Sequence, residues 1–321
     1  MAGTTGRAEV AKVLNVATRG SPLARWQARW VAERLSAVTA APRCELVVVH
    51  TTGDALAGVP VSHLGGQGAF VKEVQTAVLE GRADVAVHSA KDLPPVTPPG
   101  LVLACVPHRA DPRDALVGRR FDDLPTGALV ATGSARRRAQ LAWVRPDLTF
   151  CDLRGNMATR IERSHEVGAG VVALAALERL DLAGSVADVL DPAVMLPQVG
   201  QGALAVECRI DDAATTALLR QIDDPIAHQA VLAERTFLAA LGGGCTLPVG
   251  AWARPGAGAR LTMDALMASR DGRTLLRRHA GGPDPRELGR RLAHELLDEC
   301  GGRALDDWWL DDGPGVVAPG G

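Results

Sequence analysis

The N-terminal two-thirds of this 321-residue chain alternates between short apolar runs and longer stretches of helical periodicity. That alternation restricts the fold more than any other feature. VLNVAT leads into TRGSP, where Ser21 suits a helix N-cap and Pro22 the first helical position. The helix beyond them is expected to align Leu23, Trp26, Trp30, Val31, Leu35 and Val38 on one face. ELVVVHT reads as a strand, GAFVKEVQTAVLEG as a helix ended by Gly81, and ADVAVHS as a strand running into AKDLPP. LVLACVPHR then leads to a crossover at DPRD. A second set follows, with ALVATGS before the helical ARRRAQLAWVRP, LTFCDL and its exit loop RGN before MATRIERSHEVG, and GVVALA before ALERLDLAG. Strands separated by helices imply parallel βαβ units covered on both faces. Two such sets imply two doubly wound α/β lobes.

From Asp224 the pattern changes. Asp224 and Pro225 open a helix running to Leu241, with Gly242 as its stop. RLTMDALMAS and RTLLRRHA flank Asp271-Gly272, a hairpin signal. Asp284-Pro285, with Glu287 behind it, opens a last amphipathic helix ended by Gly301. The expected organisation is a disordered extension over 1–11 and a first α/β domain over 12–107 and 203–220. A second α/β domain covers 112–197, an α+β domain 224–310 and a flexible tail 311–321. The split first domain follows from VGQGALAVECR, which reads as a return strand.

A net charge of −2 argues against a general nucleic-acid or acidic-membrane binder. No apolar run approaches the roughly 20 residues that cross a bilayer, and the N-terminal dozen residues lack the apolar core of a signal peptide. The six cysteines are scattered, without CxxC or zinc spacing, so no metal is indicated and a reduced, cytoplasmic protein fits best. Lysine occurs only at Lys12, Lys72 and Lys91; all other basic side chains of the Lys/Arg type are arginine.

Those arginines collect where strands end. TRGS carries Arg19 and Ser21, and HSAKD carries Lys91 and Asp92. TGSARRR carries Thr132, Ser134, Arg136, Arg137 and Arg138; LRGNMATR carries Arg154, Asn156 and Arg160; ALERL carries Arg179. In open α/β sheets ligands bind beyond the carboxyl ends of strands, where helix N-termini favour anions. Arginine adds a fork that grips a carboxylate with two hydrogen bonds. Any one of these arginines reads equally as a solvated helix face. Recurrence at several strand exits points to an extended polyanion. GGQGAF at 65–70 is rich in glycine, but no Walker A or GxGxxG pattern is present, which disfavours a nucleotide. Cys245, in LGGGCTLPVG, sits where few side chains can bury it.

Taken in order, ATRGSPLARWQA, HSAKDLP, DPRDAL, TGSARRRAQL, LRGNMATR, LPQVGQGALAVECR and GGGCTLPVG resemble the signature segments of the porphobilinogen deaminase (hydroxymethylbilane synthase) family, over most of the chain. The resemblance implies two lobes like those of type II periplasmic binding proteins, plus a small C-terminal domain. It implies a transferase that joins four porphobilinogen molecules head to tail into 1-hydroxymethylbilane, releasing ammonia, on a covalent dipyrromethane primer. Cys245 would hold that primer through a thioether, which suits a thiolate meeting an electrophilic methylene carbon. Asp92 would be catalytic, a fixed carboxylate aimed at developing positive charge. Arg19, Lys91, Arg136, Arg137, Arg154, Arg160 and Arg179 would bind cofactor and substrate carboxylates, with Ser21, Thr132, Ser134, Asn156 and Gln201 as hydrogen-bonding neighbours. A lid segment would include His63, Gln67 and Phe70. His63 and Gln67 stand where that family often carries lysines, and Gly133 where it often has serine. The implied partner is porphobilinogen alone, with neither nucleic acid nor membrane, and the chain is expected to be a cytoplasmic monomer.

Other readings remain open from the residues alone. Asp92 also suits an Asx turn before Leu-Pro, and Lys91 a Schiff base to pyridoxal phosphate. A non-catalytic polyanion-binding protein would need the arginines but not Cys245 or Asp92. A cysteine hydrolase would pair Cys245 with one of the eight histidines.

Overall fold

A computed structural model describes residues 13–38, 42–51, 71–242, 247–258 and 260–305. Cys245, His63, Gln67, Phe70, the N-terminal extension and the C-terminal tail lie outside the described residues. The first sheet comprises β1 (Val13–Arg19), β2 (Arg43–Val49), β3 (Val85–Ser89), β4 (Leu101–Cys105) and β10 (Leu204–Arg209), in the order β2-β1-β3-β10-β4. The second comprises β5 (Asp114–Val117), β6 (Leu129–Ala131), β7 (Thr149–Cys151), β8 (Gly170–Ala173) and β9 (Val186–Val189), in the order β7-β6-β8-β5-β9.

Both sheets are mixed rather than purely parallel, which corrects the expectation of two doubly wound parallel lobes. β10 runs antiparallel to β3 and β4, and β5 antiparallel to β8 and β9. The reason lies in the connections. β5 is the first segment to enter the second lobe, and β10 the segment that returns to the first. Each enters from the far side and so runs against its neighbours. Strands β5 and β9 carry no clear sequence signal, being four residues each.

Helices cover both faces of each sheet. In the first lobe, Leu14 and Val16 of β1 face α1 (Pro22–Ser36), while Ala17 faces α2 (Lys72–Leu79). This is the two-residue alternation of a strand buried on both sides. Ser21 does cap α1, its Oγ accepting from Ala24 N at 3.3 Å. The buried stripe of α1 is Gln27, Ala28, Val31, Ala32 and Leu35; it keeps Val31 and Leu35 of the expected face, with Trp30 half-buried against the same core, and leaves Leu23, Trp26 and Val38 outside it. Smaller side chains let the helix lie close on the sheet. Trp26 and Trp30 stack on each other at its flank, ring centroids 6.5 Å apart. In the second lobe α3 (Ala135–Val144) packs one face, and α4 (Met157–Val167) and α5 (Leu174–Arg179) the other.

A short helix, α6 (Ala213–Leu219), ends the return segment. The smaller α+β domain follows. α7 (Pro225–Ala240) and α8 (Pro285–His294) cover one face of the antiparallel sheet β11 (Val249–Pro255), β12 (Leu261–Ala268) and β13 (Leu275–Gly282). Both helices start as read, with Asp224 and Asp284 capping and Pro225 and Pro285 next. The last helix is shorter than expected, because Glu295–Glu299 widens into a π turn before Gly301. The β12–β13 hairpin is wider than a two-residue Asp-Gly turn, since Ala268 pairs with Leu275. Gly272, at φ 71, lies against the backbone of α3 at Ala139, where a Cβ would collide. The hairpin tip thereby seats on the second lobe.

Candidate functional site

The parallel strands β1 and β3 end at Arg19 and Ser89 in one lobe, and β6, β7 and β8 end at Ala131, Cys151 and Ala173 in the other. The loops that follow carry the residues singled out above. Ser134 caps α3, its Oγ accepting from Arg137 N at 3.4 Å, and Asn156 caps α4, its Oδ1 accepting from Thr159 N at 3.1 Å. Thr132 is fully buried and its Oγ1 accepts from Ser134 N. These polar side chains thus shape helix N-termini, whose first N–H groups favour anions. Gly133 has room for a small side chain, since a Cβ there would meet only Leu153 O, at 3.6 Å.

A buried carboxylate joins the two lobes. Asp114, at the start of β5, has no solvent exposure. It accepts from Arg136 Nη2 at 2.7 Å, from Arg137 Nε at 3.0 Å and Nη2 at 2.7 Å, and from Gln201 Nε2 at 2.9 Å. Gln201 Oε1 in turn accepts from Lys91 Nζ at 3.3 Å, in the first lobe. Arg136 Nη1 also donates to Leu196 O, and Arg137 Nη1 to Val171 O. Arg137 thus spends three of its five N–H donors inside the protein, and Arg136 two. Arg136 Nε is buried and has no hydrogen-bond partner among the described residues.

Burial pushes the Asp114 carboxyl up, but Arg136 and Arg137 outweigh it and, with Gln201, hold it at about 2. Replacing Asp114 by alanine would leave two buried guanidiniums without their partner, a change worth about 3–5 kcal/mol. The expected result is a protein with a lower denaturation midpoint and a weakened lobe–lobe contact, measured by urea unfolding. The carboxylate is held below its ordinary 3.8, so its contribution is complete above that pH and is lost as pH falls toward about 2. Acid unfolding of the parent should steepen in that window. An Asp114→Asn variant with an unchanged acid profile would refute the assignment.

Around this network the other candidates gather. Lys91 and Asp92 lie in the Ala90–Asp92 turn that directly follows β3. Burial, and then the charge of Arg137, lower the Lys91 ammonium to about 8. Burial and Arg137 likewise lower the Arg160 guanidinium, while Asp92 opposes the shift, so Arg160 lies within electrostatic reach of both. Arg160 donates Nε to Gly155 O at 2.8 Å. The Asp92 carboxylate is half-buried, and among the described residues nothing donates a hydrogen bond to it. Arg154 pairs with the exposed Asp152 at 2.8 Å. Arg19 is half-buried at the end of β1. Arg179 donates Nη2 to Gly202 O at 2.6 Å, lies over the Trp26 ring, and is lowered by burial to about 10. Gly202 needs its φ of 84 and its missing side chain, because a Cβ would strike Ala110 O of the outgoing crossover.

Three contributors escape sequence reasoning. Asp114 lies within the segment DPRDAL, yet nothing local marks it as the hub. Gln27 sits on the buried face of α1 and donates to Ser89 Oγ at 2.8 Å, steadying the strand end before Lys91 and Asp92. A glutamine at a core position of a helix is a signal that could have found it. Glu234, fully buried on α7, accepts from Arg109 Nη1 at 2.6 Å, Gly200 N at 2.7 Å and Ala253 N at 2.8 Å. It ties both crossovers to the C-terminal domain. Among the described residues no cluster could hold a metal ion, and no helix is long and apolar enough to cross a membrane.

Two family models match this chain. Residues 14–217 match the porphobilinogen deaminase dipyromethane cofactor binding domain, and residues 228–298 the porphobilinogen deaminase C-terminal domain. Among curated proteins, a porphobilinogen deaminase from Roseiflexus is 46% identical over 302 residues, covering 92% of this chain and 98% of its own. One from Acidothermus cellulolyticus is 48% identical over 296 residues, covering 89% and 88%, and one from Brevibacillus brevis 43% over 295 residues, covering 90% and 96%. Among solved structures, the methionine binding protein MetQ aligns with a TM-score of 0.40 at 15% identity, covering 70% of this chain and 93% of its own. That likeness is too slight to argue from.

Proposed function

The chain belongs to the porphobilinogen deaminase family, and from that premise we propose that Asp92 is its catalytic carboxylate and Cys245 the attachment point of its cofactor. The enzyme condenses porphobilinogen into hydroxymethylbilane on a dipyrromethane cofactor. The donor set described above fits such a ligand. Dipyrromethane presents four carboxylates, and Lys91, Arg160, Arg179 and the helix ends capped by Ser21, Ser134 and Asn156 offer cations and N–H groups. The buried Nε of Arg136, without a hydrogen-bond partner among the described residues, is a further donor in that network.

The observation that carries the assignment is a half-buried carboxylate, Asp92, flanked by Lys91 and Arg160 and accepting no hydrogen bond among the described residues. It supports a role reserved for a ligand. When bound, the cofactor supplies a nucleophilic pyrrole carbon at which the chain starts. Asp92 accepts the pyrrole N–H of the incoming porphobilinogen. As the bond to the protonated aminomethyl nitrogen breaks, the electron pair leaves with it as ammonia and the substrate becomes a cationic azafulvene. Asp92 stabilises that charge as a fixed carboxylate. The cofactor's terminal pyrrole would supply the carbon nucleophile for that methylene, and the Asp92 carboxylate is placed to take the proton released when the new bond forms. Lys91, Arg160, Arg179, Arg19 and Arg154 hold ring carboxylates, with Arg136 and Arg137, paired to Asp114, and Ser21, Thr132, Ser134, Asn156 and Gln201 shaping the site around them. His63, Gln67 and Phe70 belong to a segment proposed as a lid.

We further infer the finer architecture, with domains at 12–107 and 203–220, 112–197 and 224–310. It is supported by two sheets of one shared order, in which the strand from each crossover lies antiparallel in the fourth place. This is the arrangement expected of type II binding proteins. We also propose a cytoplasmic monomer; the free thiols of Cys44, Cys105, Cys151, Cys208 and Cys300 support the reducing setting. The test of the function is a colour reaction. The purified protein should react with Ehrlich's reagent and keep that chromophore through denaturation and gel filtration. A colourless protein that also gains no colour on incubation with porphobilinogen would favour a binding protein instead.

A further inference from the structure

A groove of about 390 Å³ runs between the exposed side of α1 in the first lobe and the end of α5 in the second. Arg25 and Arg29 line it from α1, one turn apart, and Arg179 from the end of α5. Trp26 lies between them, with the Arg179 guanidinium carbon 5.8 Å from its ring centroid. Asp181, held in a left-handed turn at φ 57, contributes the only carboxylate of the lining. Like charges four residues apart destabilise a helix, and among the described residues neither Arg25 nor Arg29 forms an ion pair. An arrangement of three guanidiniums against one carboxylate is one that a polyanion would relieve.

The groove adjoins residues of the candidate site. It opens at Gly20, between Arg19 and Ser21, and it shares Arg179, which donates to Gly202 O beside Gln201. Its size is that of a small-molecule pocket rather than of a protein interface. The chemistry of its walls suits a pyrrole ring bearing carboxylates, since the indole offers a stacking face and each arginine a two-pronged donor. Chain growth creates a need for such a place. Every condensation adds a ring with two carboxylates, while Arg136 and Arg137 are already engaged by Asp114.

We propose that this groove is a second carboxylate site, which takes up the acetate and propionate groups of later rings as the oligopyrrole outgrows the space around Asp92. The proposal rests on the deaminase reading above. Its test compares the parent holoenzyme with an Arg25→Gln/Arg29→Gln variant, both supplied with limiting porphobilinogen and sampled by intact mass spectrometry. The variant should carry the primer and add the first ring at the parental rate. Its third and fourth additions should slow about tenfold, the loss expected from one charge-assisted contact, so that complexes with two added rings accumulate. Added salt should slow those late steps in the parent and much less in the variant. Equal rates for all four additions would overturn the proposal, as would an equal slowing of every addition. Failure of the deaminase reading itself would appear in the parent, as a protein that adds no rings.

Discussion

A Cys245→Ala protein is expected to lack the mass of two linked pyrrole units that the parent carries, and to form no measurable hydroxymethylbilane. The expected loss exceeds about a thousandfold in rate. The physical reason is the tether. A primer held by a thioether reacts as part of the same molecule, and well-placed intramolecular groups reach effective molarities of about 10⁵ M or more. A free dipyrromethane would have to be bound from solution for each round and would leave with its product. Serine in place of Cys245 should not rescue the mass increment, because an alcohol at neutral pH is a far poorer nucleophile than a thiolate. Intact mass before and after incubation with porphobilinogen decides the matter. A variant that still shows the increment would place the attachment elsewhere, among the remaining cysteines. Cys105 and Cys208 make poor substitutes, since both are buried and burial raises both thiols.

The second large effect is expected at Asp92. Asp92→Asn preserves shape and removes charge, and should lower kcat by about 10²–10³, as does loss of one group aimed at transition-state charge. The KM for porphobilinogen should change little, because the asparagine Oδ1 still accepts the pyrrole N–H, while the lost charge matters most as ammonia leaves. Asp92→Glu keeps the charge but displaces it, and should fall between the two. Stability should be nearly unaffected, since the Asp92 carboxylate accepts no hydrogen bond among the described residues. An asparagine variant with parental kcat would remove Asp92 from the mechanism. One with a raised KM alone would make it a binding residue.

The proposals at these two positions come from the sequence, on different grounds from the fold. Helix starts at Ser21-Pro22, Asp224-Pro225 and Asp284-Pro285 are local events, decided by a capping oxygen two or three residues from the N–H it serves. Cys245 and Asp92 stood out through the order of several motifs together. Asp114 did not stand out, although its segment was noticed. Its importance comes from Arg136 and Arg137, more than twenty residues on, and from Gln201, 87 residues away. Likewise Trp26 looks like core in a helical projection but lies outside the first-lobe core, stacked on Trp30, which packs against that core.

By itself, then, the sequence determined the kinds of element, their order, the family and the chemistry, because periodicity, capping and motif order are written within short stretches. The tertiary structure alone decided that each sheet takes an antiparallel strand from the segment crossing between lobes, that two of the expected ligand arginines are committed to Asp114, and that Arg25 and Arg29 flank a groove shared by both lobes. Strand direction depends on where a crossing segment enters, and a buried charge depends on which partners arrive from distant parts of the chain. Neither is a property of any local stretch of residues.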